Sequence, residues 1–479
     1  MNAGEILRQE SSVGNVAEVR RLILEEFESL NSSDVLGLTP LHFAARHGQL
    51  EVGKLLLESK AHIEAVDQSG STPLHLAARY GHLEMINLLL NNSASIEAVD
   101  QNGSTPLLWA ATNGHSDVIS RLLDVGAQID AASRFGCTSL HCAVINGHSE
   151  TVRILLTRNA NKEAVDQYNG KKPLHYAVIK NNLKMVKLLL FNGAQMDGVD
   201  QNGFSPLHYA AHFGHLEVAT LFAEQEGQNI NAADQRGYTP LRVAVRSRRI
   251  EVVQMLLGKG AQLDGFSIIN PQFEVEAAKL PAIHLAVRSG CVEMVSLLLD
   301  AGADIEALDS LRYTPLLYAA RLGKVHVVSL LQARGARLDV VDQLGSTPLR
   351  FAVLYGHSDV VRVLLANGVS TNYVDKLNAT LLHLAIRNGY IEVVRLLLQH
   401  GLQIEAVDTN RSTPLHYAAR SGQAEVVSLL LTKGAQINSI DGNGKTSLQL
   451  AVDACHHHNN VKSYVDTLKI LERALVPQV

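Results

Sequence analysis

Cysteine is scarce in this chain: Cys137, Cys142, Cys291 and Cys455 are the only four in 479 residues. Thiols so few and so spaced make no disulfide framework, so a reducing, intracellular setting is expected, cytoplasmic or nuclear. Long apolar runs are lacking as well. No stretch approaches the roughly 20 residues that cross a bilayer, so membrane insertion is not expected. The start, Met1-Asn2-Ala3-Gly4-Glu5-Ile6-Leu7-Arg8, has no apolar leader core, so secretion is not expected either. Aromatic residues make up 5% of the chain and the net charge is only −5, too mild for bulk attraction to nucleic acid or membranes. With 46% hydrophobic residues, disorder is excluded in turn.

What is present is one phrase repeated. Ser71-Thr72-Pro73-Leu74-His75-Leu76-Ala77-Ala78-Arg79-Tyr80-Gly81-His82 returns as Thr39-Pro40-Leu41-His42, Thr105-Pro106-Leu107, Ser205-Pro206-Leu207-His208, Thr239-Pro240-Leu241, Thr347-Pro348-Leu349 and Thr413-Pro414-Leu415-His416. The place of Pro40 recurs at 73, 106, 139, 173, 206, 240, 282, 315, 348, 381, 414 and 447, and all but three of the intervals are 33 residues. A period of that size signals a stacked array, whose length is not limited by one central core.

Local physics assigns each part of the phrase. Thr72 is a good N-cap, and Pro73 falls at the first helical position, where its missing N–H costs nothing. His75, at the third position, is placed to reach back to the cap as a capping-box acid does. Ala77 and Ala78 let neighbouring helices approach, and Gly81 ends the helix in a left-handed conformation. A second helix follows with Met85, Ile86, Leu88, Leu89 and Leu90 on its apolar stripe. The segment Ser95 to Gly103 then turns out as a finger that leads to the next Thr-Pro.

These residues resemble the ankyrin repeat family over nearly the whole chain. The resemblance implies an all-α solenoid of stacked helix-turn-helix units with short β-hairpin-like fingers. Five segments are expected: a degenerate N-terminal capping repeat over 1–33, a first block of repeats over 34–264, an inserted loop over 265–281, a second block over 282–445 and a C-terminal capping repeat over 446–479. The first of these matches only the second half of a repeat, and the loop carries apolar Phe266, Ile268, Ile269 and Phe273. The family's role implies a scaffold or adaptor that binds a protein or peptide on the concave face, and the chain is expected to be a monomer.

No chemistry is expected beside it. The chain has no P-loop, no His-Glu-x-x-His, no paired Cys-x-x-Cys and no kinase or hydrolase signature, so no enzyme, cofactor or metal site is anticipated. His456-His457-His458 reads as a solvated connector. Cys137, His141 and Cys142 resemble a ligand cluster on paper, yet His141 is the motif histidine and Cys142 takes an inward core position, as Trp109 does. His42, His75, His175, His208, His284, His383 and His416 are structural on the same grounds. The finger aspartates (Asp67, Asp100, Asp166, Asp200, Asp234, Asp309, Asp342, Asp408 and Asp441) accept backbone hydrogen bonds in turns.

Two patterns offer a binding surface. Arginine recurs near the end of the first helix as Arg46, Arg79, Arg246, Arg288, Arg321, Arg387 and Arg420, a stripe able to pair with acidic or phosphorylated ligands. Aromatic residues occupy the fingers of four successive repeats as Phe135, Tyr168, Phe204 and Tyr238, with Phe213 on a helix end and Tyr313 further on. The first pattern alone would suit an electrostatic binder of RNA, nucleotide or phospho-ligand, although nucleic acid is disfavoured by the net charge. The two together suit a protein partner.

Overall fold

The computed structural model describes residues 2–264, 280–458 and 461–475. Among them are 28 α-helices, one 3-10 helix (Phe27–Asn31) and no strand beyond three isolated antiparallel bridges. The bridges, Ala132 to Thr138, Val374 to Thr380 and Ile440 to Thr446, close three of the fingers. The fold is the all-α repeat array read from the 33-residue period. The expected loop lies, apart from its last two residues, outside the described residues, and so do Phe266, Ile268, Ile269 and Phe273.

The chain divides into two compact units, one holding residues 2–261 and the other residues 262–264 and 280 onward. Within each, first helices pack on first helices and second helices on second. The repeat at Pro73 shows why. Its first helix, Pro73–Tyr80, presents Leu74, Ala77 and Ala78 with essentially no exposed surface, and Leu83–Asn91 does the same with Met85, Ile86 and Leu89. Each such leucine contributes about 1.5–3 kcal/mol of transfer free energy, realised against the neighbouring repeat.

The cap works as its residues imply. Thr72 N–H donates to His75 Nδ1 at 3.1 Å, which places the ring proton on Nε2, and Nε2–H donates to the Ser104 carbonyl of the next repeat at 2.9 Å. His42, His141, His208, His383 and His416 repeat both bonds, so one imidazole caps its own helix and ties it to the following finger. A second tie comes from the histidine after the glycine. His115 Nε2 bonds the Arg79 carbonyl of the preceding repeat at 2.9 Å.

The ends depart from the motif. The first unit opens with a full helix pair, Ala3–Val13 and Val16–Glu25, capped by Asn2 and Asn15, where the sequence suggested only the second half of a repeat. Asparagine caps without Thr-Pro are what hid the first of these helices. At the other end, Ser447–His457 continues through the first two of the three histidines, so the expected connector is helix. His458 stacks on Tyr464 of the helix Lys462–Leu475 with ring centres 4.4 Å apart.

Candidate interaction surface

The fingers are built on their aspartates. Asp100 Oδ1 accepts the backbone N–H groups of Asn102 and Ser104, each at 2.8 Å, and Asp200, Asp234, Asp309, Asp342, Asp408 and Asp441 repeat the pattern. These carboxylates are buried turn residues. The second oxygen has a use the sequence did not announce. Asp100 Oδ2 accepts Trp109 Nε1–H at 3.1 Å, and Asp166, Asp200 and Asp408 accept the hydroxyls of Tyr176, Tyr209 and Tyr417 at 2.5, 2.6 and 2.8 Å. Burial and the adjacent carboxylate push these phenols upward, Tyr417 to about 12.

Trp109 is therefore not core. It is half-buried where finger meets first helix, with the Arg79 guanidinium over its ring at 4.6 Å. Polar indole nitrogen drew it to Asp100, a contact that an apolar reading of the residue leaves out. Cys142, at the equivalent place, is also only half-buried. Burial pushes the Cys142 thiol up and the Cys137 thiol up to about 11, which leaves both protonated and poor nucleophiles. His141, between them in sequence, is fully buried and committed to Thr138 and the Lys171 carbonyl.

The four finger aromatics fall at two different places. Phe135 and Tyr168 sit at finger tips, 58% and 78% exposed. Phe204, Tyr238 and Tyr313 sit on the return limb beside the following helix, four residues after their aspartates. There Phe204 is half-buried and meets Tyr209 edge-on at 5.4 Å. Tyr238 is only 2% exposed, so it is no protruding anchor. The limb packs against the helix that it precedes, and a large ring there turns inward. Phe213 ends its helix partly exposed and stacks on Tyr209 and His215.

The arginines do not form an unbroken stripe. In the first unit the places between Arg79 and Arg246 hold Thr112, Ile145, Ile179 and His212, and in the second Leu354 separates Arg321 from Arg387. Four of the seven engage rings instead. Tyr80 lies between Arg46 and Arg79 at 5.5 and 5.7 Å, Arg246 covers Tyr238 at 5.5 Å and Arg321 covers Tyr313 at 5.5 Å. Arg420 approaches the buried carboxylate of Asp441 at 3.8 Å, Arg387 is exposed, and Arg288 is half-buried. Tyr80 and Tyr355, which the sequence reading passed over, belong to this surface; their position directly after the arginine place was the available signal.

A groove of about 640 Å³ opens in the first unit between the fingers at 200–204 and 234–238. Phe204, Tyr209 and Phe213 line one side, Tyr238 and Val243 the other, and Arg236, Arg246 and Arg249 the rim. Asp234 lies beneath, its carboxyl raised by burial against the opposing pull of the Tyr238 and Arg236 backbone N–H groups. Among the described residues no cluster of three or more His, Cys, Asp or Glu is placed to hold a metal ion, and no helix is long and apolar enough to cross a membrane.

Compared with curated proteins one by one, the chain matches none. A family model described as ankyrin repeats (3 copies) matches residues 9–100, 59–133, 94–166, 126–200, 174–266, 268–342, 316–408 and 382–465. Those overlapping stretches run through almost the whole sequence, in step with the helix pairs and aspartate fingers, and the chain belongs to the ankyrin repeat family.

Proposed function

We propose that this protein is a non-enzymatic scaffold or adaptor that holds a partner protein or peptide on the face shared by its fingers and first-helix ends. Ankyrin repeats are in general protein-interaction modules. The observation that carries the reading to this face is the pairing of arginine with aromatic rings, at Arg46, Tyr80, Arg79 and Trp109, again at Arg246 and Tyr238, and again at Arg321 and Tyr313. A guanidinium held over a ring keeps its charge and hydrogen-bond donors while the pair offers a flat, rigid contact area. Arginine and large aromatics are the residues enriched where protein interfaces concentrate their energy. Because the backbone is already ordered by the repeat stack, little ordering cost falls on this side of the complex.

The electrostatic alternative, RNA, nucleotide or phospho-ligand bound along the arginines, finds less support in a stripe broken by Leu354, Ile145 and Ile179. Affinity capture from lysate at low and high salt tests the choice, using the native chain and the variant Arg79→Ala, Phe135→Ala, Tyr168→Ala. All three side chains are exposed, so the fold is expected to tolerate their loss. The expected result is a small set of proteins retained at high salt and lost with the variant. Captured nucleic acid that washes away with salt and with Arg288→Ala plus Arg321→Ala would overturn it.

A further inference from the structure

The groove in the first unit has a cause in the sequence. At the inward place of the first helix the chain puts Trp109, Tyr176, Tyr209 and Tyr417, and each donates to its own finger's aspartate. At position 243 it puts valine, and no ring covers Asp234. The space left is lined by Asp234 and by Tyr238. Above it, Arg236, Arg246 and Arg249 carry three positive charges, none in an ion pair among the described residues; Arg249 donates from Nε to the His212 carbonyl at 3.0 Å.

We propose that this groove takes a tyrosine side chain flanked by acidic residues, supplied by a partner protein. The incoming ring fills the volume that Tyr176, Tyr209 and Tyr417 fill for themselves in other repeats, against Phe204 and Phe213. Its hydroxyl donates to the Asp234 carboxylate, as those of Tyr176, Tyr209 and Tyr417 do to their own finger aspartates, and the neighbouring carboxylates meet the rim arginines in charge-assisted bonds. The occupant is identified by what the chain itself uses at the equivalent place: a phenol in four repeats (Tyr176, Tyr209, Tyr318 and Tyr417) and an indole in one. The proposal rests on the scaffold reading and names the chemistry of one site within it.

The test titrates the full chain with a short fluorescent peptide carrying one tyrosine between glutamates, read by anisotropy. Saturable binding is expected, weakened roughly tenfold when the peptide's tyrosine becomes phenylalanine, and lost when its glutamates become lysines. Val243→Tyr supplies the missing ring from within and abolishes binding, while the melting temperature holds or rises. Arg246→Gln weakens binding without moving the melting temperature, and keeps the proposal falsifiable if Val243→Tyr fails to fold. No binding to the native chain, unchanged affinity in either variant, or tighter binding of AMP than of the peptide would overturn the assignment. The scaffold reading fails separately: capture of proteins that depends on Arg79, Phe135 and Tyr168, alongside an inert peptide, sinks the groove alone. Loss of both sinks both.

Discussion

A glycine and a histidine from successive repeats interlock at the end of four first helices, Gly48 with His82, Gly81 with His115, Gly114 with His148 and Gly323 with His357. Gly81 holds φ at +78°, and an added Cβ there would lie 2.5 Å from Nδ1 of His115, whose ring also bonds the Arg79 carbonyl. Gly126 is also left-handed, at φ +97°, but faces open space. Gly126→Ala should therefore cost about 1–2 kcal/mol from backbone strain alone. Gly81→Ala should cost roughly 1–3 kcal/mol more, because the histidine ring must move; urea midpoints of the two variants check the difference. The motif histidines give a pH signature. Burial holds His175 and His208 down to about 4, against the raising influence of nearby aspartates and the carbonyls they bond. Folded values below the ordinary 6.5 mean that the unfolded chain binds the extra protons first. Stability is then complete above about pH 6.5 and is lost as pH falls toward 4, by about 2 kcal/mol for each of these two groups at pH 5. Thermal melts at pH 7 and 5 measure it. His208→Gln should flatten that dependence while keeping the cap, since Gln449 caps Thr446 in the same manner without titrating.

At the scale of the helix and the finger, the sequence was legible where one interaction decides the outcome. Thr-Pro at the start, histidine at the third position and glycine at the stop each act within one turn, and the helices follow them closely. The inward place was read less well, because there the outcome depends on a partner one finger away. Trp109 and Cys142 look apolar in isolation, and only the finger's carboxylate draws the indole out of the core. The aromatic run from Phe135 to Tyr238 misled for a related reason: tip and return limb are two or three residues apart, and one faces solvent while the other packs on a helix. A further feature had no sequence signal. In the first unit successive fingers are joined by backbone bonds, Gln68 to Leu36, Gln101 to Ser69, Arg134 to Asn102, Gln167 to Phe135, Gln201 to Asn169 and Gln235 to Asn202. In the second unit Thr409 bonds Leu377 and Gly442 bonds Asn410, but the Gln343 and Lys376 amides have no such partner among the described residues. Hydrogen exchange should distinguish them. The amides of Gln343 and Lys376 are expected to exchange at least tenfold faster than those of Gln101 and Gln167; equal protection would mean that the ladder contributes nothing to finger stability.

For the molecule as a whole, what matters is how far cooperativity extends. A stack gains stability from each repeat and from each interface with a neighbour, so a perturbation spreads along packed helices and stops where packing stops. Each of the two compact units is expected to unfold as one such block. A single residue makes this measurable, since Trp109 is the only tryptophan and lies in the first unit. Its fluorescence reports that unit alone, whereas circular dichroism reports helices in both. Leu189 in the first unit and Leu397 in the second are each fully buried, and truncating either to alanine should cost about 2–5 kcal/mol in its own block. Leu189→Ala is expected to shift the Trp109 unfolding midpoint to lower urea, although the residue lies well away from Trp109 in sequence. Leu397→Ala should leave that midpoint in place while the circular dichroism curve broadens or splits, its lower portion coming from the second unit. A Trp109 transition that follows Leu397→Ala as closely as Leu189→Ala would show that the array unfolds as one block. The groove at Tyr238 would then be coupled to repeats at the far end of the chain.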